Sequence, residues 1–266
     1  MKNTLSLLLL SVFFLFSCKN EKPTTDNNTT VESSDDSTPS EKQYTLTPFD
    51  PSQSYDGAGI EDMSYVNGLF NFTLSESEYE LGAQTPDADQ KMCANSGKGQ
   101  HIHLIVDNEP YAAKYTSEFD YEIKDGEHYL LAFLSRSYHE SIKTDEAHVA
   151  KKITVENNSI TNAEPIDQPA IFYSRPKGTY VGKDTEKVML DFYPINASIG
   201  TDYKIIAMIN GEEHMIDTWQ PYYITGLPMG ENTIELVLVD SNNNKVDSPL
   251  NMVSRTFTLR DDATAE

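Results

Sequence analysis

The chain has 266 residues, with 42 Asp and Glu against 20 Lys and Arg and a formal net charge of −22. That length allows about two domains. An acidic surface repels phosphate backbones, so no nucleic-acid partner is expected. The two cysteines, Cys18 and Cys93, are too few to staple an exported fold, which must hold together through its core.

Lys2 gives a short positive start, and Leu5 to Phe16 is almost wholly apolar. That length suits a signal h-region and is too short to span a bilayer as a helix. The run ends in Leu15-Phe16-Ser17-Cys18, which resembles a bacterial lipobox. The resemblance implies cleavage before Cys18 and acyl chains on its sulfur and its new amino group. Residues 1–17 are therefore read as a lipoprotein signal peptide and Cys18 as the lipidation site, so the membrane is a partner through the lipid anchor alone. Lys19 stands where an Asp retains some lipoproteins at the inner membrane, so the outer membrane of the cell envelope is the expected location. Residues 18–58 are read as a disordered linker rich in Ser, Thr, Asn and acids, which cannot bury enough surface to offset the entropy of ordering.

The text changes after residue 58. FNFTL (70–74), IHLIV (102–106), HYLLAFL (128–134) and VAKKITV (149–155) read as strands. So do KVMLDFYPI (187–195), YKIIAMI (203–209), NTIELVLVD (232–240) and RTFTLR (255–260). Short β-rich runs set between Gly, Asn, Asp and Pro turns, with no sustained helical period, predict an all-β chain. A repeat runs through it. HLIVDNEPY (103–111) followed by FDYEIKDGEHYLLAFL (119–134) parallels IAMINGEEH (206–214) followed by YYITGLPMGENTIELVLVD (222–240). Two tandem Ig-like antiparallel sandwiches follow, over 59–165 and 166–260, with AEPIDQP breaking the pattern between them and a flexible tail at 261–266.

LGAQTPDAD (81–89), GQHIHLIVDNEPY (99–111), LSRSYHESIK (134–143), YSRPKGTYVG (173–182) and GLPMGENTIEL (226–236) resemble a family of exported Bacteroidetes lipoproteins. Its histidine-rich β-sandwich repeats have no established function, and some members carry the label phosphopeptide-binding. The resemblance spans about residues 60–260 and implies an exported, β-rich protein with a peptide partner. Phosphate recognition calls for Arg or Lys clusters or backbone nests. Candidates are Ser96, Lys98, Arg136 and Lys143 in the first sandwich and Arg175 with Lys177 in the second. NSGKGQ (95–100) is glycine-rich but is no Walker loop.

His101 and His103 alternate on a strand and so share a face. Paired imidazoles suit Cu or Zn. His139, past the next long strand, is the candidate third ligand; His128 is a weaker one, and Met92-Cys93 would add soft ligands. The second repeat has Lys204 and Ile206 in place of the pair, so the fold does not need the histidines. The competing reading is a polar, solvent-facing sheet surface. Trp219 with Tyr222, in WQPYY, reads either as an exposed platform for glycan or peptide or as a core plug.

No nucleophile elbow, His-Glu-x-x-His, Cys-x-x-Cys or dinucleotide fingerprint occurs. The expectation is a non-enzymatic envelope lipoprotein that binds a protein or peptide partner or serves as a scaffold. The alternatives are a Cu- or Zn-binding lipoprotein and a glycan-binding accessory module. No cofactor is expected beyond such a metal.

Overall fold

In the computed structural model residues 44–261 are described; the signal peptide, Cys18, residues 18–43 and residues 262–266 of the tail lie outside them. Seventeen strands run in chain order among the described residues. They are β1 (Thr45–Pro48), β2 (Ile60–Val66), β3 (Leu69–Leu74), β4 (His101–Val106), β5 (Ala112–Lys114), β6 (Glu118–Asp120), β7 (Gly126–Ser135), β8 (His148–Glu156) and β9 (Ser159–Pro165). Then follow β10 (Ala170–Arg175), β11 (Gly178–Val181), β12 (Val188–Ile195), β13 (Tyr203–Ile209), β14 (Glu212–Ile216), β15 (Tyr222–Thr225), β16 (Gly230–Asp240) and β17 (Met252–Arg260).

These build two Ig-like β-sandwiches. In the first, β2-β3-β6 faces β5-β4-β7-β8-β9. In the second, β1-β15-β12-β10 faces β11-β17-β16-β13-β14. The strand orders match: β2-β3-β6 answers β10-β12-β15, and β5-β4-β7-β8 answers β14-β13-β16-β17. Every pairing is antiparallel except β11 on β17. The turn residues repeat as well. Asp107-Asn108 after β4 and Asn210-Gly211 after β13 all have positive φ, which these residue types tolerate at tight turns.

Each sandwich has its own core, Phe70, Phe72, Leu104 and Leu130 contributing to the first and Phe192, Ile205, Leu236 and Phe257 to the second. Burying one such side chain contributes roughly 1.5–3 kcal/mol. A third cluster joins the halves: Ile105, Leu131 and Phe133 pack with Phe172, Tyr193 and Ile195. The five-stranded sheet of the first sandwich thus lies against the β10–β12 sheet of the second. This explains the strands whose text is apolar throughout. Alternate residues of β4, β10 and β12 face their own core or the seam, so every residue of these strands is buried.

Polar groups cross the seam in pairs. Asn108 donates Nδ2 to Ile171 O at 2.8 Å, and its Oδ1 accepts from Tyr173 N at 2.9 Å. Asp191, fully buried on β12, accepts from Ser141 N at 3.0 Å and from Lys143 Nζ at 2.6 Å.

The linker expected over 18–58 ends earlier than its composition implies. Thr45–Pro48 forms β1 on β15 of the second sandwich, and the buried Tyr44 donates its hydroxyl to Ile209 O at 2.7 Å. The partner strand lies 180 residues away, so nothing local signals a strand. The first sandwich is in effect inserted between β1 and β10 of the second. The described residues accordingly fall in one compact unit.

Candidate metal centre

β4 carries His101 and His103 on its seam face. Both are fully buried, so the polar, solvent-facing reading of the pair is overturned. The cause is the second sandwich, whose Ser174 Oγ lies 3.2 Å from His103 Nδ1. His139 comes from the turn after β7, where its backbone is left-handed at φ 71° and its N–H bonds Arg136 O at 2.9 Å. That conformation costs a non-glycine residue of order 1 kcal/mol, and it accompanies a ring that meets the pair.

Three imidazole nitrogens converge. His101 Nε2 lies 2.9 Å from His103 Nε2 and 3.1 Å from His139 Nδ1. All three atoms lie within 4.8 Å of one another. A tetrahedral ion with bonds of about 2.0–2.1 Å holds its nitrogens roughly 3.3 Å apart; the two sides at His101 match this to tenths of an ångström, and the third, within 4.8 Å, closes on binding.

The tautomers are constrained by neighbours. His101 Nδ1 is 2.8 Å from Gly99 O, which only accepts. Nδ1 therefore carries the proton, and the Nε2 lone pair faces the other two rings. Gly99 is held to this role: at φ 86°, a Cβ there would meet Gly82 O at 2.2 Å. The glycine-rich loop thus orients His101 and packs on Gly82 and Ala83, and offers no nest for phosphate.

Tyr111 completes the surroundings. Its ring stacks on His103 at 3.6 Å, and its hydroxyl lies 3.2 Å from His139 Nδ1 while accepting from Arg175 Nη1 at 2.7 Å. Without an ion the protons cannot suit every contact. If Tyr111 donates to His139 Nδ1, that nitrogen and His101 Nε2 present lone pairs to each other. If His139 Nδ1–H donates to His101 instead, the Tyr111 proton loses its acceptor. An ion at the three nitrogens removes the lone-pair conflict.

Burial keeps the rings neutral, the form that binds metal. It pushes His101 down from 6.5 to about 4, against the hydrogen bond that His101 gives Gly99 O. Burial, and after it neighbouring positive charge, holds His103 and His139 well below the usual range. Arg175 and Lys177 contribute to all three shifts and would also oppose an ion.

The other sequence candidates lie elsewhere. His128 is bound to Asp107 Oδ2 at 2.6 Å. Cys93 is buried with Phe49, Tyr138 and Tyr223, its thiol pushed up to about 12 by burial, and Met92 is exposed. Neither joins the three histidines. Lys98 lies over the Tyr115 ring at 5.4 Å, and Tyr115 packs on His101 at 4.9 Å. Arg136 is buried, donates to Gln53 O at 2.6 Å and pairs with Glu140; it is no exposed anion contact. Trp219 and Tyr222 form no exposed platform. The indole donates to Phe192 O at 3.0 Å and packs edge-on against Tyr193, while Tyr222 is buried with its hydroxyl on Thr218 O. Sequence reasoning missed Tyr111, which the turn from β4 to β5 brings back onto His103, and Ser174, which only the seam brings to the histidines.

No protein-family model matches the sequence, and no curated protein matches it. Solved structures are similar at low identity. Fibronectin(III)-like modules of Clostridium thermocellum CbhA share 14% identity, covering 35% of this chain and 98% of that one, at a TM-score of 0.28. The tandem V-type regions of VCBP3, a chitin-binding protein, share 8%, covering 82% and 99%, at 0.22. Bacteroides ovatus SGBP-B, solved with a mixed-linkage heptasaccharide, shares 12%, covering 81% of this chain and 47% of that one, at 0.18. The fold assignment rests on the strand order above.

Proposed function

We propose that this chain is a binding module of the cell envelope, lipid-anchored through Cys18, that holds a transition-metal ion at His101, His103 and His139. The observation that carries the reading is the convergence of three imidazole nitrogens, two from the fully buried His101 and His103 and one from the half-buried His139, with His101 oriented by Gly99 O. An all-imidazole set suits Zn(II) or copper and excludes the hard cations that select oxygen ligands. The lipobox-like Leu15-Phe16-Ser17-Cys18 supports the anchoring.

The test is a calorimetric titration of the full chain, in a non-ionic detergent, with Zn(II) and Cu(II). One ion binds per chain, and His101→Ala/His103→Ala weakens binding about 100-fold or more. Equal heats in both proteins, each shown folded by near-ultraviolet circular dichroism, overturn the assignment.

A further inference from the structure

Among the described residues six buried side-chain polar atoms lack a hydrogen-bond partner: Arg136 Nε, His148 Nδ1, Tyr173 OH, Arg175 Nε, Tyr180 OH and Arg255 Nη1. Four of the six belong to one neighbourhood beside the seam. Arg175 lies over the Tyr180 ring at 5.2 Å, and Arg255 over the Tyr173 ring at 4.9 Å. Lys177 lies over the Tyr111 ring at 4.0 Å. The three cations are close enough to act on one another: after burial, Arg175 and Arg255 are what push the Lys177 ammonium down.

Among the described residues no carboxylate pairs with any of the three within ion-pair distance, and Glu109 acts on Arg255 only from farther off. This is a chain with 42 acidic side chains. Arginine stays protonated in proteins, so Arg175, fully buried, cannot shed its charge. A buried charge with an unmet N–H is costly by several kcal/mol. The ring faces return of order 0.5–2 kcal/mol per cation, which does not cover that cost for the two buried guanidiniums, Arg175 and Arg255. A partner of negative charge is missing from the account.

The donors indicate its shape. Arg175 Nε, Arg255 Nη1 and the Tyr173 and Tyr180 hydroxyls all lack partners, and Lys177 has protons beyond the one it gives Tyr111 O at 2.9 Å. A carboxylate offers two oxygens with about four acceptor sites; a tetrahedral dianion offers more oxygens and twice the charge. The solvent side of this neighbourhood is the start of β11, where Gly178 and Thr179 are exposed, with Lys177 before it half-buried.

We propose that Arg175, Lys177 and Arg255, with the Tyr173 and Tyr180 hydroxyls, form a site for a small tetrahedral oxyanion of the phosphate or sulfate type. The site is separate from the three histidines and linked to them by Tyr111, which accepts from Arg175 on one side and meets His139 on the other.

The experiment is a calorimetric titration of the full chain with inorganic phosphate and with sulfate, at constant ionic strength in chloride, with a chelator present. The chelator keeps the metal reading out of the result, so either can fail alone. Saturable one-to-one binding is expected. Lys177→Gln and Arg255→Gln weaken it about tenfold each, as loss of a charged hydrogen bond does, while Lys187→Gln on another surface leaves it unchanged. Lys177 is half-buried at the rim, so its variant decides the matter if Arg255→Gln does not fold. No saturable binding by the folded wild type, binding unaltered in Lys177→Gln, or an equal response to acetate overturns the proposal.

Discussion

On β4, His101 and His103 are fully buried; at the matching places on β13, Lys204 and Ile206 are half-buried on the outer face of their sheet. The registers fix the match. His103 pairs with Phe133 as Ile206 pairs with Val237, and His101 pairs with Ser135 as Lys204 pairs with Val239. One sheet face is sealed by a neighbouring sandwich, and its twin is not. On the twin, the cross-strand row of Met215, Ile206, Val237 and Met252 ends in methionines exposed by 43% and 52%. The fold therefore sets where a side chain points, and the docking of one sandwich on the other sets whether it meets water. An imidazole pair on the exposed twin would titrate near its ordinary value; on the covered face it is held neutral.

The comparison breaks most readily through packing. Phe133→Ala removes a seam side chain with no exposure and is expected to cost ~3–5 kcal/mol. Val237→Ala, its counterpart on the half-exposed twin, costs under ~1 kcal/mol. Urea denaturation of both decides, and equal costs mean that the seam does not seal the face. Of similar size is Asp191→Ala, which strands Lys143 beside a buried seam, at ~3–5 kcal/mol; the same melts report it.

Acid gives the next effect. The unfolded chain takes a proton at His101 near 6.5, while the folded chain resists until about 4. Protons therefore favour the unfolded state as pH falls through that window. Stability drops by about 3 kcal/mol from this residue between pH 6.5 and 4, and His103 and His139 add to the drop. Chemical denaturation across that range should show the slope shallower in His101→Gln. Smaller still is the effect of building the pair on the wrong face. Lys204→His/Ile206→His places two imidazoles on the twin without a third, and binds Zn(II) about 100-fold or more weaker than the three-histidine site. Zinc titration measures it, and comparable affinity would mean that burial and His139 contribute nothing.

Much of this architecture is legible in the text. Each of the eight runs read as a strand lies in one, and Gly126-Glu127 and Gly230-Glu231 open equivalent strands, β7 and β16. The pattern works where local alternation or a β-branched run marks a core. It fails where a short strand is held by a distant partner, as with Thr45–Pro48 on β15, and where a strand is only three residues long, as with Ala112–Lys114 on β4. At the site, His101, His103 and His139 could be named from spacing, because two share a strand face and the third follows the neighbouring strand. Their burial could not. The unbroken run AIFYSR in β10 reads equally well as a buried strand of one sandwich, and only the docked pair shows that Phe172 and Ser174 serve the other. WQPYY carries no mark that separates a platform from a plug, since both need a large amphipathic ring.

The insertion of one sandwich inside the other also sets an order in time. The chain emerges N-terminus first, so the last strand of the first sandwich, β9, is out before β10 and β12, whose sheet covers its seam face. Throughout that interval the first sandwich can close its own core, but the sheet that will cover its seam face does not yet exist. His101 and His103 then face solvent with His139 within reach. An ion captured early would be sealed in when β10 and β12 dock, and one offered late would have to wait for the sandwiches to part. Metal supplied during refolding should therefore enter quickly, and metal added to the finished protein slowly, at the pace of seam opening.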